Sequence, residues 1–138
     1  MKRINLIISA LLFVAIIISC NKETTDERDK FVGTWTGNLY FARIGTEYFT
    51  TVLITKSTTN SAQIILTQQG GSSDPRIATV NGNSYIYQNF TASLGITGNY
   101  TGSGSINGNI ITESGLITSD SAPYQGNLGD WGRHLNKQ

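Results

Sequence analysis

Along residues 31–41 apolar and polar positions alternate. Phe31, Gly33, Trp35, Gly37, Leu39 and Phe41 share one face, while Thr34, Thr36, Asn38 and Tyr40 lie on the other. A period of two marks a strand with one face buried. Short β-branched runs continue the pattern and predict strands over residues 48–56, 62–67, 77–80, 84–90, 96–106 and 110–118. Turn chemistry separates them: Arg43-Ile44-Gly45-Thr46, the loop 57–61, and the loop 68–75 with Gly70-Gly71 and Asp74-Pro75. Asn81-Gly82 and Asn107-Gly108 predict hairpins with type I′ turns, in which both central residues take positive φ. Seven short strands joined by local turns predict an all-β domain over residues 31–118. Its expected form is an antiparallel up-and-down meander closing into a small barrel or a curled sheet. Closure would remove unpaired edges, and Gly98, Gly102 and Gly104 would let one strand bend at the closing corner. The pattern stops at residue 119. Residues 119–138 hold Pro123, Gly126, Gly129 and Gly132, and the helical spacing of Trp131, His134 and Leu135 is too short to sustain a helix. The expectation there is a C-terminal tail, partly docked so that Tyr124, Trp131 and Leu135 do not expose apolar surface.

Upstream, a basic start (Lys2, Arg3) precedes an apolar run from Ile4 to Ile18. That run is shorter than the roughly 20 residues of a spanning helix and has the layout of a secretory signal. Ile17-Ile18-Ser19-Cys20 resembles a bacterial lipobox: two branched apolar residues, a small residue, then the cysteine that is lipidated and becomes the new N-terminus. Cys20 is the only cysteine, so no disulfide or cysteine-metal site competes for it. The resemblance implies a signal peptide at 1–19, acylated Cys20, and attachment to the outer membrane of the cell envelope through lipid. Residues 20–30 then read as the lipidated cysteine and a polar, solvated tether. Lys22-Glu23 resembles the acidic segment that directs Bacteroidota lipoproteins to the cell surface, and Thr24-Thr25 interrupt it. Surface and periplasmic leaflet therefore both stand.

Composition narrows the chemistry. The chain carries ten Lys and Arg against nine Asp and Glu. Removal of Lys2 and Arg3 leaves the mature part near neutral, which speaks against nucleic acid as a partner. His134 is the single histidine, so a Ser-His-Asp arrangement would need the tail folded over the barrel. The acids of the strand region, Glu47, Asp74 and Glu113, form no facing pair, and Glu113 reads as solvated on an outer face. Metal-ligand spacing is missing, and Gly102-x-Gly104 has no following helix to make a phosphate cradle. The sequence therefore predicts a non-catalytic protein without metal or cofactor. Tyr85 and Tyr87 share a strand face near Gln88 and Asn89 and could form a glycan-stacking platform, the plainer reading being cross-strand packing on the outer sheet face. Asn89-Phe90-Thr91 and Asn99-Tyr100-Thr101 match the N-glycosylation pattern, with neither expected to be used in a bacterial lipoprotein. Asp120-Ser121-Ala122 resembles the short O-glycosylation acceptor of Bacteroidota, which makes Ser121 a candidate modification site.

Phe31-Val32-Gly33-Thr34-Trp35 resembles the Gly-x-Trp start of the first strand in lipocalins, and small Bacteroidota lipoproteins with lipocalin-like domains begin in a similar way. Avidin-like barrels also begin Gly-Thr-Trp. The lipocalin resemblance implies a Trp35 that closes one end of a barrel with an arginine against it, and Arg133 is the one late arginine. It further implies an interior that could hold a small apolar ligand. Trp35, Leu53, Ile64, Leu66, Ile86 and Ile106 are then the candidate lining residues, equally suited to a packed core. Two functions follow as expectations. One is a lipid-anchored binding module for a small hydrophobic ligand. The other is a filled barrel that binds an envelope protein or a glycan through its outer face or loops.

Overall fold

Every described segment with a regular backbone is a strand in the computed structural model: β1 (Gly33–Phe41), β2 (Thr46–Lys56), β3 (Gln63–Gln69), β4 (Arg76–Asn81), β5 (Ser84–Tyr87), β6 (Phe90–Ser93), β7 (Thr97–Asn107), β8 (Ile110–Ser119) and β9 (Gly126–Lys137). The structure describes residues 25–70, 75–93, 97–119 and 126–138. The lipobox with Cys20, and Ser121 with its acceptor sequence, lie outside the described residues.

Each strand pairs antiparallel with its neighbours, in the order β5-β4-β3-β2-β1-β9-β8-β7-β6, and β5 also pairs with β7. That last pairing closes the sheet. β5 and β6 both lie along β7, with Ile86 opposite Ser103 and Phe90 opposite Tyr100. The register slips by one residue between them, so they act as one interrupted strand. The result is an eight-strand closed barrel with meander order.

The predicted tail is β9. It sits between β1 and β8, with Gly37 opposite Leu135 and Glu113 opposite Arg133. Trp131, Arg133 and Leu135 are buried, so their spacing is that of alternate strand positions. Three glycines disguised the strand, yet two of them serve it. Gly126 and Gly129 take positive φ on either side of a register shift between Ile117 and Thr118. The barrel thus runs through Lys137 and does not end at residue 118.

Both Asn-Gly turns form hairpins, with a correction to their type. Asn81 pairs with Ser84 and Asn107 with Ile110, so the two-residue loops are Gly82-Asn83 and Gly108-Asn109. Only the glycines have positive φ, 56° and 58°. Positive φ at the first central residue alone is the type II′ pattern, not I′.

One end of the barrel is closed by the N-terminal segment. Residues 27–31 form a turn, and Phe31 is fully buried against Tyr85. Trp35 donates its indole N–H to the Phe31 carbonyl at 2.7 Å. Arg28 donates to the Ser57 and Asn60 carbonyls of the β2–β3 loop at 3.1 and 3.2 Å and is held by Asp26. Lys56 pairs with both Asp26 and Asp29. The described part of the expected tether is therefore fastened to the barrel base. The cation over Trp35 is Lys137, 5.4 Å from the ring centroid, and not Arg133.

Candidate functional site

Alternation decides which side chains meet inside. On β8, Ile111, Glu113, Gly115 and Ile117 face inward, and on β7 so do Tyr100, Gly102, Gly104 and Ile106. The register sets Tyr85, Gly104, Glu113, Arg133 and Leu39 in one row across five strands. Gly104 makes room: a Cβ there would lie 2.2 Å from the Tyr85 ring. Tyr85 crosses that space and donates its hydroxyl to Glu113 Oε1, as does Tyr87. Arg133 pairs with Glu113 Oε2, and its Nη2 lies 3.4 Å from the Tyr87 hydroxyl.

All of these groups are buried. Glu113 was expected on an outer face, but its parity with Ile111 and Ile117 puts it in the core. Burial opposes its ionisation, yet the charges of Arg133 and Arg76 and the two tyrosine hydroxyls outweigh that, holding its carboxyl below the ordinary value. Burial, reinforced by the Glu113 charge, pushes the Tyr85 and Tyr87 hydroxyls up. Arg133 is also disfavoured by burial, but Glu113 more than compensates and keeps it firmly protonated. A carboxylate with both oxygens occupied by donors has no lone pair aimed at a substrate. It works as a structural ion pair.

Above this row the interior is aromatic. Tyr87 meets Phe90 at 5.3 Å, Phe90 stacks on Tyr100 at 5.2 Å, and Tyr100 meets Trp131 edge-on at 6.1 Å. Trp131 donates its indole N–H to the Thr101 carbonyl at 3.0 Å. Phe41 and Tyr48 extend the cluster at the end where β1 finishes and β2 begins. Arg76, the first residue of β4, lies over the Tyr87 and Phe90 rings at 5.6 and 5.4 Å. It is 1% exposed, and none of its three guanidinium nitrogens has a hydrogen-bond partner. Burial first, then Arg133, weakens its hold on its proton. A desolvated cation–π contact is worth about 2 kcal/mol. An unpaired buried ion costs several.

The other candidates from the sequence fall on both sides of the wall. Trp35, Ile64, Leu66 and Ile106 are buried and packed in the core. Leu53 and Ile86 are not lining residues: Leu53 is half-buried on the outward parity of β2, and Ile86 is 66% exposed. Tyr85 and Tyr87 point inward, so they make no outer glycan platform and no outer-face packing. His134 faces outward, 3.3 Å from the Thr112 hydroxyl and stacked on Tyr40. Sequence reading passed over Arg76 and considered Arg133 only as the partner of Trp35, not of Glu113. Their signal was the parity each shares with apolar neighbours, Ala78 for one and Trp131 and Leu135 for the other.

The fold defines a small, closed, antiparallel β-barrel with a buried ion pair at its centre and aromatic rings toward one end. No protein-family model matches the chain, and no curated protein matches it significantly. Among solved structures, a redesigned β-barrel is similar to it, with a TM-score of 0.59 and 17% sequence identity over 83% of this chain and 97% of that one. At that identity the likeness shows the barrel fold alone.

Proposed function

We propose that the protein is a lipid-anchored, non-catalytic binding module of the bacterial cell envelope. Its ligand is small, carries an apolar body, and sits at the aromatic end of the barrel. The observation behind this reading is the cluster of Phe41, Tyr87, Phe90, Tyr100 and Trp131 at the end opposite the N-terminal turn. Eight-strand barrels hold one small ligand or fill with side chains. Apart from the partly buried Phe90, the rings at that end are about as buried as Trp35, so on this reading a ligand enters by parting them. The lipobox resemblance supports acylation of Cys20, and each buried CH₂ of its acyl chains contributes about 0.8 kcal/mol of anchoring. Attachment to the outer membrane in a Bacteroidota-type envelope and a lipocalin-like relationship belong to the same reading.

Two measurements test it. Intact-mass analysis of the mature protein should show an acylated Cys20 at the N-terminus, and Cys20→Ser should release the protein from membranes or stall its processing. Native mass spectrometry of the protein from its own host should show a co-purifying small molecule. An unlipidated mature chain would remove the anchor, and a ligand-free barrel would remove the binding role. A second reading, capture of an envelope protein through the outer wall, is favoured by the exposure of Phe49 and Ile86 there. Pull-down of one partner, abolished by Phe49→Ser or Ile86→Ser, would support it.

A further inference from the structure

Among the described residues, the barrel wall has an unpaired strand edge beside its unpartnered cation. β4 pairs with β5 from Ala78 to Asn81, and one more bond runs from the Gln88 N–H to the Ile77 carbonyl at 2.9 Å. Past that bond, among the described residues, β6 pairs only with β7 and turns its other edge toward the start of β4. Arg76 stands at this seam. Phe90, the first residue of β6 and only partly buried, packs its ring against the guanidinium.

The charges within do not balance. Glu113 is the one buried carboxylate among the described residues, and Tyr85, Tyr87 and Arg133 already occupy its oxygens. Arg76 is left with five N–H donors and two aromatic faces. Ring faces attract the charge but accept no directed hydrogen bonds from the fork. A lone water could accept from the guanidinium, but it would need further acceptors for its own hydrogens. The nearby wall offers the Gln68 amide oxygen, which is itself buried without a partner. A planar oxyanion meets a guanidinium with two parallel hydrogen bonds and also cancels the charge.

We propose that Arg76 is the anion-binding group of the barrel, and that its ligand is an organic anion whose carboxylate- or sulfonate-type head pairs with the guanidinium while its apolar body packs on the aromatic cluster. Phe90, on the wall segment with the free edge, gives way to admit it. This rests on the binding-module reading and deepens it by naming the ligand's chemistry.

A matched pair of dyes tests the head group. 1-Anilinonaphthalene-8-sulfonate and N-phenyl-1-naphthylamine share one body, and only the first carries an anion. Fluorescence titration of the mature protein should show the sulfonate binding at least roughly ten-fold more tightly than the neutral dye. Arg76→Met, checked for cooperative melting, should erase that advantage and leave the neutral dye unchanged. Arg76→Lys, which keeps charge without the fork, should fall between. Equal binding of both dyes to the wild type, or an unchanged sulfonate affinity in Arg76→Met, would overturn the anion site and leave the binding module standing. Failure of both dyes to bind the wild type would overturn the anion site and the binding module together.

Discussion

Glu113 and Arg133 are each other's reason for being buried. Removing one partner of such a pair leaves an uncompensated charge and costs about 3–5 kcal/mol. Glu113→Gln and Arg133→Met should each lower stability by that order in denaturant unfolding, while the double replacement Glu113→Leu with Arg133→Met should recover part of the loss. The carboxyl also sets an acid limit. Its folded value lies below the ordinary 4.5, so its contribution is complete above pH 4.5 and is lost as pH falls through the folded value. Melting temperature should decline in that window, and Glu113→Gln should flatten the decline. Tyr85 and Tyr87 act with the opposite sign: their raised values stabilise the fold below pH 10 and withdraw that support as pH climbs through them. A mutant profile parallel to the wild type in acid would show that Glu113 is not the responsible group.

Among the elements, legibility followed alternation. β1 was readable from Trp35, Leu39 and Phe41, and the hairpins from their glycines. β9 was hidden because Gly126, Gly129 and Gly132 look like loop residues. In fact Gly132 lies beneath the Tyr40 ring on the outer face, where a Cβ would come 2.2 Å from the phenol oxygen. The ion pair was hidden for another reason. Glu113 was read as solvated because it is charged, although its parity with Ile111 and Ile117 pointed inward, and Arg133 stood in a stretch expected to be a tail. Gly115 shows how tightly the strands approach: a Cβ there would fall 1.8 Å from the Thr101 carbonyl and 2.6 Å from the Gly102 Cα. Backbone cannot swing aside as a side chain can. Gly115→Ala should therefore cost about 1–3 kcal/mol, read as a lower melting temperature. Gly82→Ala, whose added methyl meets open space, should register only through its positive φ.

At the scale of the whole molecule, the barrel's last seam joins the two strands farthest apart in the chain. β9 fills the gap between β1 and β8, and the Gln138 side-chain amide still reaches Thr36 Oγ1. Deleting residues 126–138 would bare the edges of both neighbours, and such a variant should aggregate or stay unfolded. Pairing over that separation has a kinetic price: contact order is high, so stopped-flow refolding should occupy the millisecond-to-second range of β-barrels, not the microseconds of helical bundles. A refolding time in microseconds would mean that β1 and β9 do not meet in the rate-limiting step. During synthesis, β1 waits for its partner until the ribosome has read through the codons of β9. Until then the nascent chain cannot lock itself shut, and its waiting edges stay open to proteases and to the wrong partners.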